Sequence, residues 1–240
     1  MPRPIQATIH TAALRHNLGV ARQAAPDAQA WAVVKANAYG HGIERVFEGL
    51  RGADGFALLD LSEAERVRAL GWRGPILLLE GAFEPRDLEL CSRLNLWHTV
   101  HREAQIDWLA AHKTQQPHHV FLKMNSGMNR LGFTPTAFRG AWARLNALPQ
   151  VDEISLMTHF SDADAARGTH AAALPFAASS LDLVVLPHAL ELARDPHHLG
   201  RWRSALVLVS GTERGFAVAN RIRDRSVELV VIDVSGCPVG

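Results

Sequence analysis

Along the first two thirds of the chain, short apolar runs alternate with stretches whose apolar residues recur every three to four positions. The runs predict strands at Ala30–Lys35, Phe56–Leu59, Pro75–Glu80, Leu96–Val100, Val120–Met124 and Glu153–Thr158. Between them, helical periodicity predicts Ala12–Gln23, Ile43–Leu50, Pro85–Leu94, Glu103–His112 and Pro135–Leu148. One more helix opens at Ser62-Glu63-Ala64-Glu65, read as a Ser cap with Glu65 at the third helical position closing a capping box, and stops at Gly71. Strand and helix in regular alternation describe parallel βα units. Leu77-Leu78-Leu79 and Ala57-Leu58-Leu59 have the unbroken apolar character of strands covered on both faces.

A doubly wound sheet and a (β/α)8 barrel both satisfy that pattern. No Gly-rich dinucleotide fingerprint follows the first strand, and a lysine sits at that strand's end. In barrels the C-terminal strand ends carry the chemistry, so the barrel is the better reading, complete or incomplete.

That lysine belongs to Ala30-Trp31-Ala32-Val33-Val34-Lys35-Ala36-Asn37-Ala38-Tyr39-Gly40-His41-Gly42. The run delivers Lys35 at the mouth of a buried strand among apolar neighbours, and the chain then breaks into a turn. A partly desolvated amine there suits Schiff-base formation with an aldehyde; a strand-end lysine otherwise snorkels to solvent.

Val33 to Gly42 resembles the pyridoxal-phosphate attachment motif of the alanine racemases. Leu122-Lys123-Met124-Asn125-Ser126-Gly127-Met128-Asn129-Arg130-Leu131-Gly132-Phe133 and Leu156-Met157-Thr158-His159-Phe160-Ser161-Asp162-Ala163-Asp164 resemble two further signatures of the same family, in its order. The resemblance covers residues 1–164 and fades in 165–240. It implies pyridoxal 5'-phosphate as cofactor, L- and D-alanine as substrates, and a cell-wall precursor role. It also implies that Lys35 holds the cofactor and acts as a base, Tyr39 touches the phosphate, and Arg130 reaches the phenolic oxygen and the substrate. His159 would stand near the cofactor, and Lys123 matches a position where the family can carry a carbamylated lysine that orients the arginine. The family's homodimer supplies a second base, a tyrosine, from a further β domain of the partner subunit. Tyr39 is the one tyrosine in this chain, and no such domain is expected before Gly240, so racemisation by this chain is expected to be impaired and its dimerisation is in doubt.

Strand-like runs return at Leu183–Leu186, Ala205–Val209 and Val227–Val234, and these offer the strands that would close a barrel. The tail is either a truncated or frame-shifted racemase sequence or a genuine single-domain variant. Ser210-Gly211-Thr212 is its one plausible phosphate nest, and His170 and His188 are its candidate second bases. The alternative function is a single-domain barrel that carries pyridoxal phosphate without racemase activity.

Composition sets the outer bounds. A chain of 240 residues, 48% apolar and 20% charged, fits an ordinary globular protein. Net charge +1 gives no reason to expect nucleic acid or an anionic membrane as partner. Cys91 and Cys237 lie far apart and read as free thiols, and the start Met1-Pro2-Arg3-Pro4-Ile5 has no apolar leader, so the cytoplasm is the expected compartment. The pairs His118-His119 and His197-His198 invite a metal reading. Adjacent strand positions point to opposite faces, however, so no metal site is expected from either pair. Arg221-Ile222-Arg223-Asp224-Arg225 reads as a solvated face.

Overall fold

The computed structural model describes residues 7–24, 29–113 and 116–159, together with the backbone of three later strands at 183–185, 206–210 and 229–233. Five βα units and a sixth strand build the first part. The strands are β1 (Gln29–Val33), β2 (Gly55–Leu58), β3 (Ile76–Leu78), β4 (Trp97–Val100), β5 (His118–Met124) and β6 (Val151–His159). Helix α1 (Thr11–Ala24) precedes them, and α2 (Lys35–Tyr39), α3 (Ile43–Leu50), α4 (Leu61–Ala69), α5 (Asp87–Arg93), α6 (Glu103–Ala111) and α7 (Pro135–Asn146) fill the connections. Strands β7 (Leu183–Val185), β8 (Leu206–Ser210) and β9 (Leu229–Asp233) complete the set.

Every neighbouring pair is parallel, and β9 pairs with both β8 and β1, so the sheet closes into a barrel. All three apolar runs of the last third enter the ring, which therefore holds nine strands where the (β/α)8 pattern has eight. The seam differs in extent along its length: β1 and β9 pair from Gln29↔Leu229 to Val33↔Asp233, whereas β7 meets β8 only at Val184↔Val207.

Two residue sets alternate along each strand, as the two-residue period of a strand requires. Trp31, Val33, Ala57, Leu77, Leu79, Phe121 and Met157 form one cluster, which fills the barrel. Ala30, Ala32, Val34, Phe56, Leu58, Ile76 and Leu78 face outward against α1, α3 and α4, while Val120 and Leu122 do so against α6 and α7. Both sets are buried, which is why these strands read as continuous apolar runs. Fully burying one such side chain contributes about 1.5–3 kcal/mol, so each covered strand adds several such increments.

The lower barrel is plugged by aromatic rings. Trp97 stacks on His119 with centroids 3.9 Å apart, and Trp31 lies 5.3 Å from Trp97. His119 and His118 leave β5 on opposite faces: His119 faces this plug, and His118 faces His98 and His112 in the layer between barrel and helices. Burial holds the His119 ring at about 4, so the ring is neutral at pH 7 and its 3.3 Å approach to Glu153 is no ion pair. Among the described residues, no group of three His, Cys, Asp or Glu side chains converges as a metal site, and no helix is long and apolar enough to cross a membrane. His197, His198, Cys237 and the Arg221–Arg225 cluster lie outside the described residues.

One local reading changes. The cap of α4 is Asp60, whose carboxylate accepts from the Ser62 N–H at 2.7 Å, so Ser62 is inside the helix and forms no capping box with Glu65. Asp60 wins because an ionised acceptor at that position satisfies an orphan N–H and also meets the helix dipole.

Candidate active site

The inward rows of three strands end in chemistry-bearing residues. On β1 the row Trp31, Val33 leads to Lys35; on β5 the row His119, Phe121 leads to Lys123; on β6 the row Ser155, Met157 leads to His159. Lys123 pairs in register with Met157, so the last two rows run side by side. Lys35, Lys123 and His159 therefore meet at the C-terminal mouth of the barrel, where the sequence pattern placed the chemistry.

Arg130 reaches the same mouth by a different device. The loop after β5 folds back so that Phe133 bridges to Met124, the Asn125 N–H donates to the Phe133 carbonyl at 2.8 Å and the Phe133 N–H to the Lys123 carbonyl at 2.9 Å. Gly132 makes this return possible: its φ is +120°, and a Cβ there would stand 2.6 Å from the Asn125 nitrogen. Asn125 Oδ1 accepts from the N–H groups of Gly127 and Asn129, each at 3.0 Å, which stiffens the loop that carries Arg130. Its far side is tied to β6, since Thr158 Oγ1 donates to the Met124 carbonyl at 3.0 Å and lies 2.7 Å from Ser126 Oγ.

The electrostatics of the cluster follow from burial and like charge. Lys123 is 4% exposed, and burial, with the Arg130 guanidinium and the Lys35 ammonium adding repulsion, lowers its amine to about 8. Lys35 is half-buried. The desolvation expected at Lys35 thus falls more heavily on Lys123. His159 is buried, and that burial, with Lys123, Arg130 and Lys35 nearby, pushes its imidazole down to about 2, so the ring is neutral. Its Nε2 is buried and has no hydrogen-bond partner among the described residues. Three cations and an unsatisfied ring nitrogen around one mouth form a site that an anion with further polar groups would complete.

Tyr39 lies where the turn after Lys35 puts it, with Lys35 Nζ 5.8 Å from its ring centroid. The turn itself is α2, and it is left-handed: Ala36, Asn37, Ala38 and Tyr39 all have φ between 51° and 55°. Four consecutive L-residues in that region cost about 1–2 kcal/mol each, so the turn depends on outside contacts. Periodicity could not reveal this hand, because a left-handed turn has no distinct spacing of apolar residues.

Two residues at the mouth escaped the sequence reading. His101, after β4, is lowered to about 4 by burial and then by Lys123, which places it beside the cluster; Glu80, after β3, offsets the repulsion on Lys123. Buried Gln105 joins their loops, accepting from the His101 N–H at 2.8 Å and donating to the Ala82 carbonyl at 2.9 Å. Isolated polar residues after strands gave no signal in the sequence. Gly211, Thr212, His170 and His188 lie outside the described residues.

The fold and this mouth define a parallel β/α barrel with a cationic, lysine-bearing site at its C-terminal end. Residues 9–186 match the model for the alanine racemase N-terminal domain, and the chain belongs to that family. The match continues past Asp164, where the quoted motifs end. A protein named alanine racemase from Acidovorax sp. (strain JS42) is 80% identical over 183 residues, covering 76% of this chain and 50% of that relative. Another of the same name from Paracidovorax citrulli (strain AAC00-1) is 83% identical over 168 residues, covering 70% of this chain and 46% of the relative. The crystal structure of biosynthetic alanine racemase from Pseudomonas aeruginosa superposes with a TM-score of 0.74 at 34% identity, covering 97% of this chain and 59% of that one. The chain thus spans about half the length of the curated relatives it matches.

Proposed function

We propose that this chain forms the cofactor-binding barrel of a pyridoxal-phosphate-dependent alanine racemase, in which Lys35 carries the cofactor. The observation that supports it most is the convergence of Lys35, Lys123, Arg130 and the unpartnered His159 Nε2 at one barrel mouth. Two lysines and an arginine with so little carboxylate among them call for an anion. Pyridoxal phosphate, when bound, supplies an aldehyde for a lysine amine and a ring that takes up the electron pair left when a Cα proton departs.

The chain's own residues then divide the work. Lys35 Nζ, at the end of the β1 row, takes or returns the Cα proton of alanine on one face. Arg130, fixed by the Gly132 return, offers a planar fork to a phenolic oxygen and to a substrate carboxylate. Lys123 lies behind it and holds a positive potential in a low-dielectric wall. The Tyr39 hydroxyl donates to the phosphate, and neutral His159 presents a ring nitrogen toward the same group. Inverting alanine needs a second base on the opposite face, as the family resemblance implies.

The test is direct. The purified chain is mixed with pyridoxal phosphate, reduced with borohydride and peptide-mapped, then given L-alanine in heavy water and followed for Cα deuterium and for D-alanine. Label on the Lys35 peptide with deuterium uptake supports the reading. Label on Lys123 would overturn the site, and label on Lys35 without exchange of the Cα proton would favour the carrier function.

A further inference from the structure

Glu63 stands in the first turn of α4. It is 7% exposed, while Glu65, two positions on, faces solvent. Its Oε1 accepts from the backbone N–H of Asn37 at 2.6 Å, across two βα units, and its Oε2 is buried without a partner among the described residues. A buried carboxylate with one oxygen unsatisfied is costly, so it contributes little to net stability. What it does contribute is the position of one amide, at the centre of the left-handed turn.

Asn37 lies midway between Lys35 and Tyr39, and contacts from outside the turn converge on it. Its N–H goes to Glu63, and its Oδ1 accepts from the Ile43 N–H at 3.3 Å and from Arg66 Nη2 at 2.7 Å. Arg66 stands three residues after Glu63 on α4, hence on the same helical face. Arg66 is in turn clamped to Glu44 of α3, with Nε at 2.7 Å and Nη2 at 2.6 Å. Helix α4 thus grips both the amide and the side chain of the residue that centres a backbone conformation L-residues avoid.

We infer that Glu63 is a positioning residue: by accepting the Asn37 N–H it holds the left-handed turn that aims Lys35 and Tyr39 into the barrel mouth. This rests on the reading of Lys35 as the cofactor-bearing lysine. Released from Glu63, the turn relaxes toward negative φ and both side chains swing from their places. Losing that hydrogen bond should change the population of the held turn about tenfold or more.

The experiment compares Glu63→Ala, Glu63→Asp, Glu63→Gln and the surface control Glu65→Ala in the full chain, each checked for folding by circular dichroism. Amide hydrogen exchange at Asn37, measured without cofactor, should quicken about tenfold or more in Glu63→Ala and Glu63→Asp. It should stay near native in Glu63→Gln, whose amide oxygen still accepts, and in Glu65→Ala. Borohydride-fixed label on Lys35 should fall by a similar factor in the first two variants. Non-covalent retention of pyridoxal phosphate on dialysis should change far less. Should Glu63→Ala not fold, Glu63→Asp, which keeps the charge but shortens the reach, decides the matter. Native exchange at Asn37 in the first two variants, or loss in Glu63→Gln as large as in Glu63→Ala, would overturn the inference. Failure of the native chain to label at Lys35 would instead overturn the cofactor reading, while the exchange data would still settle what Glu63 does.

Discussion

Lys35 Nζ stands 5.8 Å from the centroid of the Tyr39 ring, although the four residues from Ala36 to Tyr39 wind left-handed between them. A lysine at that distance from an aromatic face is attracted by the ring's quadrupole. The pair therefore acts as one unit, tethered through Asn37. Substituting Lys35→Ala should abolish covalent cofactor attachment while leaving retention by charge within a few-fold of native, because Lys123 and Arg130 remain. Peptide mapping after borohydride checks the first half and dialysis the second.

Lys123 ties stability to pH in a defined direction. Its amine titrates at about 8 when folded and 10.5 when exposed, so the folded chain binds fewer protons between those values. The penalty for burying the ammonium is therefore present below pH 8, and stability should rise from pH 8 toward 10.5. Removing the buried ammonium removes that penalty, so Lys123→Met should stabilise the chain at pH 7 by something on the order of 3 kcal/mol or less, and flatten that rise. Thermal unfolding across the window gives the answer; an unchanged slope in Lys123→Met would refute the assignment.

The return loop at Gly132 offers a geometric test. Any Cβ at φ +120° is strained, and here it also meets the Asn125 nitrogen at 2.6 Å and the Met124 carbonyl carbon at 2.7 Å, neither of which is free to move away. Gly132→Ala should cost at least about 1–3 kcal/mol and displace Arg130. A lower melting temperature together with weaker phosphate binding is expected; weaker binding alone would mean that the loop moved without strain.

Acid should attack the chain behind the barrel wall. His98 Nε2 and His118 Nδ1 lie 3.1 Å apart, so one shared proton links two buried rings. Burial first, then neighbouring imidazoles, hold them at about 3 and about 4, below the ordinary 6.5. With pKa values depressed in the folded state, the stability they confer is full above pH 6.5 and is lost as pH falls toward those values. His118→Gln should therefore lower stability at pH 7 slightly and make the fall between pH 6.5 and 4 shallower, as read by urea midpoints at stepped pH.

The linear sequence was enough to place the strands and helices, because a strand covered on both faces must be apolar throughout and an amphipathic helix must repeat every 3.6 residues. Even β7, β8 and β9 were visible as apolar runs, and Lys35, Lys123 and His159 could be located at strand ends. That alternation also put His118 and His119 on opposite faces, as the ring contacts show. Three other features rest on contacts between distant residues. Nothing in the order of residues revealed that Asp60, one position before α4, would outcompete Ser62 as its cap, or that Glu63 would reach back 26 residues to Asn37. The hand of the turn at Ala36–Tyr39 is likewise a tertiary choice, since groups on α3 and α4 offset its local cost. Finally, the return loop at Gly132 brings Arg130 to Lys123, and the pairing of neighbouring strands brings Glu80 and His101 to the same mouth, where burial and like charge set the amine's affinity for its proton.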